Sequence, residues 1–177
     1  MKELLIVVDM QKDFVDGALG TAEAVAIVNN VAEKIRGFSG DIIVTYDTHG
    51  ENYLQTREGR YLPVPHCIKG TAGWELDRTV RAALEGRDYA ALEKPTFGST
   101  ELVGYIADHY DPESLSITLV GLCTDICVVS NALLLKASYP QIEISVDASC
   151  CAGVTVDSHN AALLTMKMCQ IQITGGE

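Results

Sequence analysis

Cys127 lies in the run ITLVGLCTDICVVSNALLLK, where an apolar strand pattern stops, turns at Gly121 and passes into helical periodicity. A thiol in the first turn of a helix sits among free backbone N–H groups at the positive end of the dipole. The pattern therefore predicts a lowered thiol pKa and a nucleophilic sulfur. Two other polar residues close apolar strand patterns in the same way. Asp9 ends LLIVVD, and Lys94 ends DYAALEK just before Pro95, which turns the chain out of regular structure. A carboxylate that takes the thiol proton, an ammonium that stabilises the thiolate and the thiol itself are a set for nucleophilic catalysis, provided parallel strands bring them to one sheet edge. Taken singly, each has a plainer reading: Asp9 as a helix cap or salt bridge, Lys94 as a solvent-facing strand end.

The segment 47–72, DTHGENYLQTREGRYLPVPHCIKGTA, is the one long stretch without periodic structure, and loops of that length in compact domains are commonly functional. It holds Asp47, His49, Glu58 and His66, an N/O donor set suited to a divalent ion such as zinc, iron or manganese. The competing reading is an Asp47–His49 hydrogen bond at a strand end, with Glu58 and His66 on the surface. Cys67 adjoins His66, but adjacent side chains tend to diverge, so it is left out of the donor set. Phe14 and Phe97 follow Asp9 and Lys94 at short range, placed either to wall a flat substrate or to pack against the sheet edge. The N–H groups of Cys123 and Cys127 form a candidate oxyanion hole. His109 and His159 lie on helical patterns and read as structural or solvent-facing. Trp74 reads as a packing anchor at a helix start.

These residues require a scaffold of alternating strands and helices. Apolar runs at 4–8, 41–46, 88–92, 115–120, 142–146 and 170–173 predict strands, mostly continuous as in parallel sheets buried on both faces. Helical periodicity at 22–36, 74–84, 99–109, 124–138 and 157–168 separates them. The 177 residues suit a single domain, 1–177, that buries roughly two thirds of its unfolded surface. Thirteen basic and 24 acidic side chains give a formal charge of −11, which opposes nucleic acid and anionic lipid as partners and leaves a small molecule as the expected ligand. Met1, Lys2 and Glu3 lead straight into LLIVVD without the pattern of a signal sequence, and no apolar run is long enough for a bilayer. The expectation is a cytoplasmic protein with no membrane partner; whether it forms a homo-oligomer is left open. The six cysteines are scattered over strand and helix positions and read as mostly free thiols. GxGxxG, GxxxxGK[ST] and GxSxG are absent, so dinucleotide, P-loop and serine-hydrolase sites are not indicated.

VVDMQKDF around Asp9, EKPTFGST around Lys94 and GLCTDICV around Cys127 resemble the catalytic segments of the isochorismatase-like cysteine hydrolases, and the resemblance spans nearly the whole chain. It implies a three-layer α/β/α domain around a six-stranded parallel sheet of order 3-2-1-4-5-6. It also implies a cis peptide before Cys123, and Asp9, Lys94 and Cys127 as the catalytic trio. Asp47, His49, Glu58 and His66, with the following HCIKGTAGWEL, resemble the metal site of the nicotinamidases (pyrazinamidases) within that family. Members that act on isochorismate or carbamoylated amines generally lack this set. The resemblance thus implies one divalent ion, zinc first with iron or manganese as alternatives. It implies Phe14 and Phe97 as walls for a pyridine ring, and hydrolysis of nicotinamide to nicotinate through a cysteine thioester. Phe14 follows Asp13 where many members have an NDF triplet, and the chain is shorter than many homologues. The competing expectations are a family amidohydrolase for another small amide and, more remotely, a noncatalytic metal-binding scaffold.

Overall fold

The computed structural model describes residues 1–176. In chain order the elements are β1 (Lys2–Val8), α1 (Lys12–Val15), α2 (Ala22–Gly37), β2 (Asp41–Asp47), α3 (Arg57–Tyr61), α4 (Arg78–Leu84), β3 (Ala90–Lys94), α5 (Thr100–His109), β4 (Leu115–Leu122), α6 (Val129–Ser138), β5 (Glu143–Ala152), α7 (Val156–Met168) and β6 (Gln172–Thr174). The strands form one six-stranded sheet of order β3-β2-β1-β4-β5-β6, parallel at every pairing.

The central strand shows why the fold has three layers. Leu4 through Val8 are all fully buried, and their side chains alternate between faces. Leu4, Ile6 and Val8 pack with Leu102, Ile106, Ala132, Leu135 and Met166 of α5, α6 and α7. Leu5 and Val7 pack with Val28, Val31 and Ile35 of α2 and Val80 and Leu84 of α4 on the opposite face. An unbroken apolar run is what a strand covered on both sides requires. At its end β1 lies close to β4: Val8 is in register with Gly121, which has φ +117, and a Cβ there would strike the Val8 carbonyl. Only glycine permits that approach.

Several elements differ from their sequence patterns. The predicted helix 74–84 begins at Arg78, because the Asp77 carboxylate caps it by accepting the N–H groups of Thr79 and Val80; Trp74 lies outside it and donates to Thr48 Oγ1 at 2.9 Å. The helix predicted over 124–138 opens as a π-helical turn, Thr124–Val128, before α6. Strand 88–92 is displaced to Ala90–Lys94, which draws Lys94 into the sheet. The stretch 47–72 carries a 3₁₀ turn at Tyr53–Gln55 and α3, whose first turn is capped by Thr56. No helix among the described residues is long and apolar enough to cross a membrane.

Candidate active site

The strand order reverses direction between β1 and β4, and in open α/β sheets ligands gather at the carboxyl ends of strands flanking such a point. Asp9 follows β1, Asp47 ends β2, Lys94 ends β3 and the Cys123–Cys127 turn follows β4. Asp9, Asp47, Lys94 and Cys127 are all buried.

Lys94 is the hub. Its Nζ lies 2.6 Å from Asp9 Oδ2, 3.4 Å from Cys127 Sγ, 3.0 Å from the Thr96 carbonyl and 3.6 Å from Asp47 Oδ1. A buried ammonium needs such partners. Burial works against its charge, but Asp9, Cys127 and Asp47 outweigh that effect and hold the Lys94 pKa above its ordinary value. Asp9 adopts φ +47, a left-handed conformation that aspartate tolerates better than most residues. Thr45 fixes it there: its hydroxyl donates to Asp9 Oδ1 at 2.6 Å, and the Asp9 N–H faces the Thr45 carbonyl at 3.2 Å. Burial raises the Asp9 pKa and the adjacent Lys94 charge partly reverses this, the environment of a carboxylate able to accept a proton.

The Cys127 thiol departs from the sequence expectation. Burial and the neighbouring Asp9 charge push its pKa well above the usual thiol value, with Lys94 pulling in the opposite direction. The helix-dipole argument for a lowered pKa is therefore corrected: desolvation exceeds any help from a turn that is itself only irregularly helical. Burial thus favours the protonated form of the sulfur, which sits beside the 2.6 Å Asp9–Lys94 contact. Lys94→Met is accordingly expected to move the onset of Cys127 alkylation by iodoacetamide to higher pH; an unchanged profile would remove Lys94 from the sulfur's electrostatic environment.

The Leu122–Cys123 peptide is cis. The Cys123 carbonyl accepts the N–H groups of Ile126 and Val128 at 3.1 and 3.0 Å. Cys123 and Cys127 thus bracket the turn that carries the sulfur.

Asp47, His49, Glu58 and His66 also converge, with one ligand-type atom from each lying within 4.8 Å of all the others. Asp47 Oδ2 is 2.9 Å from His49 Nε2 and 3.5 Å from His66 Nε2, while Glu58 Oε1 is 3.6 and 3.7 Å from the same two nitrogens. His66 Nδ1 sits 2.8 Å from the Val64 carbonyl. An N–H donated there leaves Nε2 as the free lone pair, the usual arrangement behind a metal-binding imidazole. Tyr53 packs edge-on against both rings, at 4.8 and 5.0 Å, and His49 is stapled to the following segment by Cys67 O and Lys69 N. Burial disfavours ionisation of Asp47, yet the two histidines and Lys94 overcome it and hold its pKa low. Burial raises that of Glu58. Asp47 Oδ1 is buried without a hydrogen-bond partner. Two imidazoles and two carboxylates gathered this closely fit a divalent cation. His49→Ala and His66→Ala are each expected to lose most of a stoichiometric divalent ion by elemental analysis; full occupancy in both would break the ligand assignment.

Phe14, Phe97, Cys123 and Cys127 line a small cavity together with Asp47, Glu58 and His66. Phe14 is tilted against His66 at 5.5 Å between centroids. Cys67 keeps its thiol out of the donor cluster; its N–H donates instead to Asp13 Oδ2 at 2.8 Å, which gives Asp13 a structural role in tying the loop to α1. His109 stays on the far side, stacked on Tyr105.

Other buried polar residues support the site, and of these Gln11, Asn131 and Thr45 are not singled out by the sequence. Gln11 is fully buried and clamps Asp47 by accepting its N–H and donating to its carbonyl, both at 2.8 Å. Asn131 donates to the carbonyls of Cys127 and Phe97, and its position four residues after Cys127 on a helical pattern is the signal that marks it. His159 accepts or donates a 2.8 Å hydrogen bond with the fully buried Thr124 in the Cys127 turn, a structural contact that ties α7 to that turn. Thr45 and Gln11 were legible only as polar interruptions in apolar segments.

The isochorismatase domain family profile matches residues 3–177. A nicotinamidase/pyrazinamidase of Mycobacterium tuberculosis is 28% identical, covering 96% of this chain and 96% of its own. Among solved structures, a nicotinamidase/pyrazinamidase from Bacillus subtilis matches with a TM-score of 0.86 at 25% identity, over 98% of this chain and 100% of that one. A pyrazinamidase of Pyrococcus horikoshii, determined in complex with zinc, matches at 0.81 and 28% identity over 99% and 100%.

Proposed function

The chain belongs to the isochorismatase family, and from that premise we propose that it is a single-domain, metal-dependent nicotinamidase that hydrolyses nicotinamide to nicotinate and ammonia. The observation that carries this reading is that one cavity is lined both by Cys127 and by three of the four clustered metal-type ligands, Asp47, Glu58 and His66. A substrate held there with a carboxamide at the sulfur has its ring nitrogen directed to the donor cluster. The nicotinamidase and pyrazinamidase names of the relatives, one of them a zinc complex, support both the substrate class and zinc as the ion.

In the proposed reaction Asp9 accepts the Cys127 proton as Sγ attacks the carboxamide carbon. The resulting oxyanion takes hydrogen bonds from the Cys123 and Cys127 N–H groups. Asp9 returns the proton to the departing nitrogen, the C–N bond breaks, and ammonia leaves a thioester. Water then attacks that carbon with its proton passing to Asp9; the C–S bond breaks, the sulfur is reprotonated, and the acid is released as nicotinate. Lys94 keeps Asp9 oriented and offsets negative charge on sulfur throughout. Asp47, His49, Glu58 and His66 would hold a divalent ion, which would supply Lewis-acid chemistry to the bound ring. Phe14 and Phe97 bracket the ring.

Benzamide, which has the same carboxamide and ring shape without the nitrogen, tests the reading. Ammonia release should favour nicotinamide by about 100-fold or more in kcat/KM, because a site built around a polar contact rejects an analogue that lacks it. Equal values for the two would move the assignment to an amidohydrolase of another small amide.

A further inference from the structure

The cavity at Cys127 opens outward. Glu58, Leu62, Phe97 and Ile126 line both it and a wider cleft, to which α3 contributes Arg57 and Tyr61. The outer cleft measures about 610 Å³ against about 50 Å³ for the inner cavity, far more room than an unsubstituted pyridine ring uses. Its rim is apolar and open: Tyr61 is 79% exposed, Phe97 43% and Leu62 39%. Contiguous exposed apolar side chains of this kind mark binding surfaces.

The charge in the cleft is specific. Arg57 rests its guanidinium 5.5 Å from the centre of the Tyr61 ring, and among the described residues no carboxylate pairs with it. Its neighbour Glu58 instead turns inward to His49 and His66. In a chain of net charge −11, this leaves an unpaired, permanently charged fork at the mouth of a catalytic cavity, on an apolar floor.

We propose that the outer cleft is a substrate subsite, in which Arg57 reads an anionic group on an arm attached to the ring. The favoured substrate class then extends from simple pyridine-3-carboxamides to those bearing a carboxylate-ended substituent, with the arm lying along Phe97 and Tyr61 and its end facing the guanidinium. This inference rests on the amidohydrolase reading above and adds its selectivity.

The test uses the metal-loaded enzyme and pyridine-3-carboxamides with a short arm at ring carbon 4, 5 or 6, each made with a carboxylate end and with a hydroxyl end. At one or more positions the carboxylate compound should exceed its hydroxyl partner by about three- to fivefold in kcat/KM, the scale of a solvent-open ion pair. Arg57→Gln should bring that ratio to about one and Arg57→Glu should invert it; because each ratio is taken within one variant, any general loss of activity cancels. The preference should also fade as ionic strength rises from about 0.01 to about 1 M, which shortens the screening length from about 30 to about 3 Å. Absence of a preference at every position, or a preference that survives in Arg57→Gln, overturns the subsite. Nicotinamide assayed alongside keeps the two claims separate, since failure to hydrolyse it would count against the nicotinamidase reading and not against the ratio.

Discussion

Cys127→Ala is expected to lower turnover of nicotinamide by at least about 10⁴-fold, the scale on which removing a covalent nucleophile acts, with folding and metal content retained. The sulfur is buried 3.4 Å from Lys94 Nζ at the floor of the cavity, so its loss removes the attacking atom and little volume. Cys123→Ala is the matched control. Its side chain is half-buried on the wall of the same cavity, and its proposed contribution is a backbone N–H that alanine keeps; its loss should be a few-fold at most. Rapid quenching followed by intact-mass measurement should find an acylated chain in the parent protein and none in Cys127→Ala. Similar losses in both variants, or turnover without Cys127, would end the thioester mechanism.

Asp9→Asn is expected to reduce turnover by about 10²- to 10⁴-fold, the range of a positioned general base, and to produce a second effect of opposite sense. The carboxylate raises the Cys127 pKa, so its neutralisation should shift thiol alkylation to lower pH even as catalysis fails. A sulfur that is easier to ionise in an enzyme that no longer turns over separates proton acceptance from mere sulfur reactivity. The substitution also leaves Lys94 without the partner at 2.6 Å, and breaking a buried ion pair costs about 3–5 kcal/mol. Thermal unfolding should therefore be measured alongside, at a temperature where the variant remains folded. Alkylation that stays at its original pH would show that Asp9 does not govern the thiol.

The Asp47–His49–Glu58–His66 cluster and the Asp9–Lys94–Cys127 group are linked through single residues. Asp47 offers Oδ2 to the histidines and Oδ1 toward Lys94, and Gln11 holds its backbone on both sides. Asn131 connects the Cys127 turn to the segment that carries Phe97. The loop and Cys127 are thus positioned by the same few buried polar contacts, which a low-dielectric interior makes directional.

Much of this arrangement is legible in the chain itself. Continuous apolar runs such as LLIVV can be satisfied only by strands covered on both faces, and their alternation with helical periodicity leaves a parallel sheet whose strand ends carry Asp9, Asp47 and Lys94. The donor types in 47–72 likewise follow from residue identity. Tertiary structure decided what periodicity does not encode. It set the sign of the Cys127 pKa shift, because desolvation depends on what the rest of the chain stacks over the sulfur. It moved helix 74–84 to Arg78, where a carboxylate cap was available, and drew Lys94 into β3 beside Asp47. It also enlisted Thr45, Gln11, Asn131 and His159, whose partners are 34 to 36 residues away or lie on a different element. Residue type and spacing specify the chemistry a chain carries; distances between groups remote in sequence, and the solvent excluded between them, exist only once the sheet has brought its edges together.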